Sequence, residues 1–215
     1  MNQGETSNEY QMIAFLLQYP DQQTFDALPE LQEEVQLIED NAVRKNLQQF
    51  IDRISNQSLD EWIDHYIAYF DFEKTTNLYV TYLKLGEQRE RGLELLKLKN
   101  FYEAAGFDVT NKELPDYLPL MLEFCANVPT EKSNELLEMH VQAIYEIKES
   151  LIKSESWYVS IFKALLAHME KSGILIVIEE VKKDAEVVYS YAEEREMMKN
   201  RISWNIRQPK GGEMR

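Results

Sequence analysis

The sequence predicts an all-α protein folded as a single-domain helical bundle. Three observations carry this expectation. Glycine and proline number only 7 and 6 in 215 residues, so long stretches run without a backbone breaker. The β-branched residues are scattered and do not alternate with polar ones, so the period-two pattern of strands is missing. Apolar residues make up 44% of the chain, enough to bury one sizeable core.

Taken in order, Ser7 is expected to cap a first helix reaching about Tyr19, with Met12, Phe15, Leu16 and Tyr19 on its apolar face and Pro20-Asp21 as its stop. A short helix follows over residues 24–28. Pro29-Glu30 then opens another carrying Leu31, Val35 and Ile38, because proline's missing N–H costs little in a first turn. Asn41 separates it from a helix with Val43, Leu47, Phe50, Ile51 and Ile54 on one face. Ser58 and Glu61 form a capping box, in which each side chain satisfies the other's backbone N–H. The helix it starts carries Trp62, Tyr66, Tyr69 and Phe70, an aromatic face that reads as core or as the wall of a peptide groove.

Residues 71–75 form a polar break, and a short helix over 77–85 holds Tyr79, Tyr82 and Leu83, with Gly86 suited to a left-handed C-cap. Residues 87–105 give a longer helix with Arg89 and Arg91 in its first turns, Leu95, Leu98, Tyr102 and Ala105 on its buried face and Gly106 as its end. A loop over 107–113 leads to Leu114-Pro115-Asp116. There Asp116 is expected to cap the next helix, Pro119 to sit in its first turn, and Leu118, Leu122 and Cys125 to share its inner face. Thr130 is expected to cap one long helix with the stripe Leu137, Val141, Ile144 and Leu151. A helix over 157–169 ends at Ser172-Gly173. The apolar run 174–178 is expected to continue as a helix through Val188 and Tyr191, for want of a partner strand. The helical domain is placed at 1–199. Residues 200–215 form a flexible basic tail, with Arg201, Arg207, Lys210 and Arg215 just beyond Lys199.

Charge excludes several functions. With 38 acidic against 23 basic side chains the net charge is −15, a field that repels nucleic acid and anionic lipid and attracts basic partners. No apolar run is long enough to span a bilayer, and the polar N-terminus does not read as a secretory signal, so a cytoplasmic protein is expected. Cys125, the only cysteine, reads as a small core residue. His65, His140 and His168 are preceded three positions earlier by Trp62, Leu137 and Leu165, so the Glu-x-x-His spacing of helical metal sites is missing. Asp60, Glu61 and Asp64 resemble half of a carboxylate metal site, but capping is the plainer account. With no phosphate loop or serine elbow either, a binder is expected and not an enzyme.

Residues 66–129 carry a run of short motifs: Tyr69-Phe70-Asp71, Leu78-Tyr79-Val80-Thr81-Tyr82, Gly86-Glu87-Gln88-Arg89-Glu90-Arg91-Gly92, Tyr102-Glu103-Ala104-Ala105-Gly106-Phe107, and Glu113-Leu114-Pro115-Asp116-Tyr117-Leu118-Pro119 running into Leu122-Glu123-Phe124. In order and spacing this segment resembles the nitrate reductase assembly chaperones, the delta subunit or NarJ family, within the wider TorD-like molybdoenzyme chaperones. Leu17-Gln18-Tyr19-Pro20-Asp21 also fits. The resemblance implies an all-helical chaperone that binds the N-terminal segment of the nitrate reductase catalytic subunit. It would hold the apoenzyme in the cytoplasm until the molybdenum cofactor is inserted and leave before membrane docking. It would carry no tightly bound cofactor itself, and proteins that deliver the cofactor are implied as further partners. In the wider group the motif aspartate is often followed by histidine. Tyr117 stands there in this chain, so no role needing a titrating imidazole carries over.

For such a client, Tyr79, Tyr82, Tyr117 and Leu118 are expected to supply apolar contacts, and Asp71, Asp116 and Glu123 to meet client lysine or arginine. The structural alternative is that Arg89 and Arg91 pair with these acids and tie the central helices together, with Gly86, Gly106 and Pro115 shaping the turns. A general acidic adaptor for some other basic segment is the competing function.

Overall fold

The computed structural model describes residues 8–71, 73–86, 89–108 and 113–177. The chain divides into two compact units, Met1–Ile178 and Glu179–Arg215, and all described residues lie in the first. The expected cap at Ser7, the helix through Val188 and Tyr191, the boundary at 199 and the basic tail lie outside the described residues.

Among the described residues there are eleven α-helices and no strand. They are α1 (Asn8–Leu16), α2 (Gln22–Asp26), α3 (Leu28–Val35), α4 (Asn41–Ile54), α5 (Leu59–Tyr66), α6 (Val80–Leu85), α7 (Arg89–Ala104), α8 (Leu118–Ala126), α9 (Thr130–Glu138), α10 (Val141–Lys153) and α11 (Val159–Lys171). The all-α expectation holds. α11 packs against α4, α10 and α1, and α1 lies along α8. Their shared interior buries Tyr10, Phe50, Trp62, Tyr158 and Phe162 completely or nearly so. Each such ring removes about 150–250 Å² from water, worth roughly 4–6 kcal/mol before entropy. Two of the polar tips match each other: the Trp62 indole N–H donates to the Tyr158 hydroxyl at 2.8 Å.

Several ends follow local chemistry closely. The capping box at Ser58 and Glu61 forms in both directions, at 3.3 and 2.8 Å. Asp21 stops nothing; it caps α2 by accepting from the Thr24 N–H at 2.8 Å. Asn41, expected to separate two helices, opens α4 itself, and Asp40 caps it, its carboxylate accepting both the Ala42 and Val43 amides at 2.9 Å. Gly86 and Gly106 take the positive φ that follows α6 and α7.

Four elements differ from expectation. α1 stops at Leu16, which leaves Tyr19 beyond it and half-exposed. The end of the helix expected to carry Tyr69 and Phe70 is a π-helical turn, Ile67–Asp71, and the polar break after it runs into the 3₁₀ turn Lys74–Thr76. The long helix from Thr130 is two helices broken at Met139-His140, and Pro129 holds the N-cap position. The break lets α9 pack on α8 while α10 packs on α11. Finally, α11 closes at Gly173, φ 98°, with the Ile174 N–H bonded back to the Met169 carbonyl at 3.0 Å. Ile174 is buried there, Leu175 and Val177 are exposed, and residues 174–177 form no helix.

Candidate functional site

The centre of the site is a single antiparallel rung between two helix starts. The Leu118 N–H donates to the Leu78 carbonyl at 2.8 Å, and the Val80 N–H donates to the Asp116 carbonyl at 3.0 Å. Leu118 opens α8 and Val80 opens α6, so each helix has its first amide satisfied by the other's lead-in. This is why Asp116 is not the cap of α8. Tyr117 holds that position, and no side chain caps the helix. Pro119 does sit in the first turn.

Released from capping, the Asp116 side chain turns inward. It is 0% exposed and accepts from the Thr81 hydroxyl at 2.5 Å and from the Arg91 guanidinium at 3.0 Å. Arg91 also donates to Thr81 at 3.2 Å and lies over the Tyr82 ring at 5.4 Å. The buried charge is thus paired and hydrogen-bonded, as a charge in a low-dielectric interior must be. Tyr102 adds a hydroxyl bond to the Pro115 carbonyl at 2.8 Å, tying α7 to the same loop. Arg89, by contrast, is exposed at the start of α7.

The rung sets Tyr79 and Tyr117 side by side, with ring centroids 5.3 Å apart. Tyr117 and Tyr66 share a hydroxyl–hydroxyl bond of 3.2 Å, and Tyr66 donates on to the Leu17 carbonyl at 3.3 Å. Tyr79 donates to Glu113 at 2.7 Å. Tyr19 and Phe70 complete the wall, at 5.4 and 5.0 Å from the Tyr66 ring. These rings, with Leu78, line a cleft of about 180 Å³ with Asp71 and Glu113 at its margin.

The electrostatics are one-sided. Burial raises the Tyr117 hydroxyl pKa, and the carboxylates of Glu113, Asp71 and Glu123 raise it further. Burial also raises the Asp71 and Glu123 carboxyls above the usual carboxylate range, with the Gln18 amide partly offsetting this at Glu123 through a 2.6 Å bond. Among the described residues none of these three acids has a cation partner. The cleft is therefore aromatic, tyrosine-rich and anionic.

Of the residues expected to meet a partner, Asp71, Tyr79 and Tyr117 come together at the cleft, and Glu123 faces Tyr117 from α8. Tyr82 lies against Arg91, Leu118 is fully in the core and Asp116 is buried beneath. Tyr66 and Phe70 belong to the aromatic face read as core or groove wall, and the groove wall is where they stand; Tyr19, Leu78 and Glu113 were not expected at the site, and nothing local joins Tyr19 to a ring 47 positions away. A larger groove beside Trp157 gathers none of the motif residues. Among the described residues no three His, Cys, Asp or Glu side chains could hold a metal ion, and no helix is long and apolar enough to cross a membrane.

The model of the nitrate reductase delta subunit family matches residues 38–163, from the end of α3's connection into α11. The chain belongs to the nitrate reductase delta subunit family. It is 41% identical over 174 residues to the probable nitrate reductase molybdenum cofactor assembly chaperone NarJ of Bacillus subtilis, across 81% of this chain and 95% of that protein. It is 28% identical to the nitrate reductase molybdenum cofactor assembly chaperone NarJ of Escherichia coli K12, across 74% and 68%. For the probable chaperone NarW of the same organism the figures are 29%, 72% and 65%. The delta subunit match covers the rung, the Arg91–Asp116 pair and every cleft residue except Tyr19.

Proposed function

We infer that this chain is a molybdenum cofactor assembly chaperone for nitrate reductase, a binder and not a catalyst. The observation that carries this is family membership, with 41% identity across 95% of a relative bearing that name. In this reading the client is the N-terminal segment of the apo catalytic subunit, held in the cytoplasm before the cofactor is inserted and released before membrane docking. The cleft is its docking point. Tyr79 and Tyr117 offer ring faces, Asp71 and Glu123 attract client lysine or arginine, and a basic amphipathic segment suits both. Asp116, Arg91, Gly86, Gly106 and Pro115 hold the cleft's shape.

Calorimetric titration of the full chain with a peptide from the first residues of the partner reductase's catalytic subunit tests this. Selective binding over a scrambled peptide of equal charge, weakened several-fold by Asp71→Asn, is expected. Equal binding of the scrambled peptide would return the chain to a general acidic adaptor.

A further inference from the structure

α1 ends in a clasp that closes one side of the cleft. Pro20 cannot continue a helix and disfavours helical backbone before it, so the chain tightens after Leu16, with the Gln18 N–H bonded to the Phe15 carbonyl at 3.3 Å. Three consecutive residues then reach other parts of the site. The Leu17 carbonyl accepts from the Tyr66 hydroxyl at 3.3 Å, the Gln18 side-chain amide donates to Glu123 Oε1 at 2.6 Å, and the Tyr19 ring lies 5.4 Å from that of Tyr66. Gln18 thus ties the exit of α1 to α8 across 105 positions of sequence. The family match begins at residue 38, so this wall lies outside it.

Two carboxylates of this region are treated in opposite ways. Asp116, fully buried, has its charge met by Arg91 and Thr81. Glu123, half-buried on α8, has no cation partner among the described residues and is held by one neutral amide. Burial raises its pKa, and the Gln18 bond opposes that rise. An amide N–H stabilises the ionised form and fixes its direction without cancelling its charge. A lysine at position 18 would do the first and undo the second. Tyr117 stands in the field of that charge, and Tyr19, next to Gln18, lines the cleft.

We propose that Gln18 is a positioning residue for client binding: it aims the Glu123 carboxylate at the cleft margin and keeps that charge for a lysine or arginine of the client. This rests on the reading of the cleft as the client's docking point. Gln18 touches Glu123 and acts on the client through it. Specificity follows from the neutrality of the donor, because the counter-ion then comes from the partner and not from this chain.

The test is calorimetry of the full chain with the peptide from the first residues of the partner reductase's catalytic subunit, run on a double-mutant cycle of Gln18→Met and Glu123→Gln. Gln18→Met keeps the length of the side chain and removes the donor. Each single change is expected to weaken binding several-fold, and the double change no further than Glu123→Gln alone, since Gln18 acts through that carboxylate. Gln18→Lys is expected to weaken binding about tenfold while urea unfolding shows its stability undiminished. Gln22→Lys, which adds the same charge at an exposed site on α2, is expected to bind as the wild type does. In NMR titrations without client, the Glu123 carboxyl is expected to ionise at higher pH in Gln18→Met than in the wild type, and at lower pH in Gln18→Lys. A wild type that does not select the peptide over its scrambled form sinks the docking reading and this inference with it. With selective wild-type binding in hand, additive losses in the double variant, full affinity in Gln18→Lys, equal weakening by Gln22→Lys, or a Glu123 titration unmoved by Gln18→Met would overturn the role of Gln18 alone.

Discussion

Asp116 carries a charge into the interior and has it matched there by Arg91 and Thr81. Such a pair adds little net stability when formed, but removing one partner strands the other in a medium that cannot solvate it. Asp116→Ala is therefore expected to cost about 3–5 kcal/mol in urea unfolding. In the Arg91→Met background the same change is expected to cost clearly less, because no cation is left behind. Equal costs in both backgrounds would show the two charges to be independent. The sequence could not separate this role from the alternatives. An aspartate after proline and before an apolar run looks like a helix cap, and it looks equally like an acid for a basic client. What decides between them is the rung, because backbone carbonyls 38 positions apart take the capping duty. The exposed Asp71 was legible as a surface acid; the tyrosines around it were not legible as its neighbours.

At the scale of elements, the join between α5 and the turn into α11 rests on His65. Its Nε2 accepts the Trp157 N–H, also at 3.1 Å from the Ser156 hydroxyl, which requires the neutral ring. Burial first, and Arg53 second, push its pKa down to about 4. In the unfolded chain the ring titrates near 6.5. A depressed histidine contributes stability that is complete above the unfolded value and is lost as pH falls from about 6.5 toward 4. Wild type is thus expected to lose about 1–2 kcal/mol more than His65→Gln between pH 7.5 and pH 5, measured by urea unfolding. Parallel pH profiles for the two proteins would remove His65 from the account. Helix starts were marked in the sequence by the capping box at Ser58, while the side-chain caps at Asp21 and Asp40 were passed over. They were misplaced where backbone made the cap, as at α6 and α8, or where packing partners changed without a breaker residue, as between α9 and α10.

For the whole molecule, the excess of acids acts at a distance that no single contact does. For the basic client proposed above, a field of −15 would steer it toward the cleft before contact, and salt screens that field over about 10 Å at 0.1 M. The association rate with the client peptide is expected to fall about tenfold or more between low and high salt, while dissociation changes far less. Stopped-flow rates at several ionic strengths check this; a salt effect confined to dissociation would place the electrostatics in the bound complex alone. The same composition that made an all-helical binder legible said nothing of where the anionic face would gather, because that depends on which helices meet. One further property belongs to the chain as a whole. Its single thiol, Cys125, is sealed in the interior of α8, and burial pushes its pKa up. Toward alkylating dyes and spin labels the folded protein behaves as if it had no cysteine. A cysteine introduced at the margin of the cleft becomes its only reactive handle, so distances from that point to a bound client can be read without first removing any native residue.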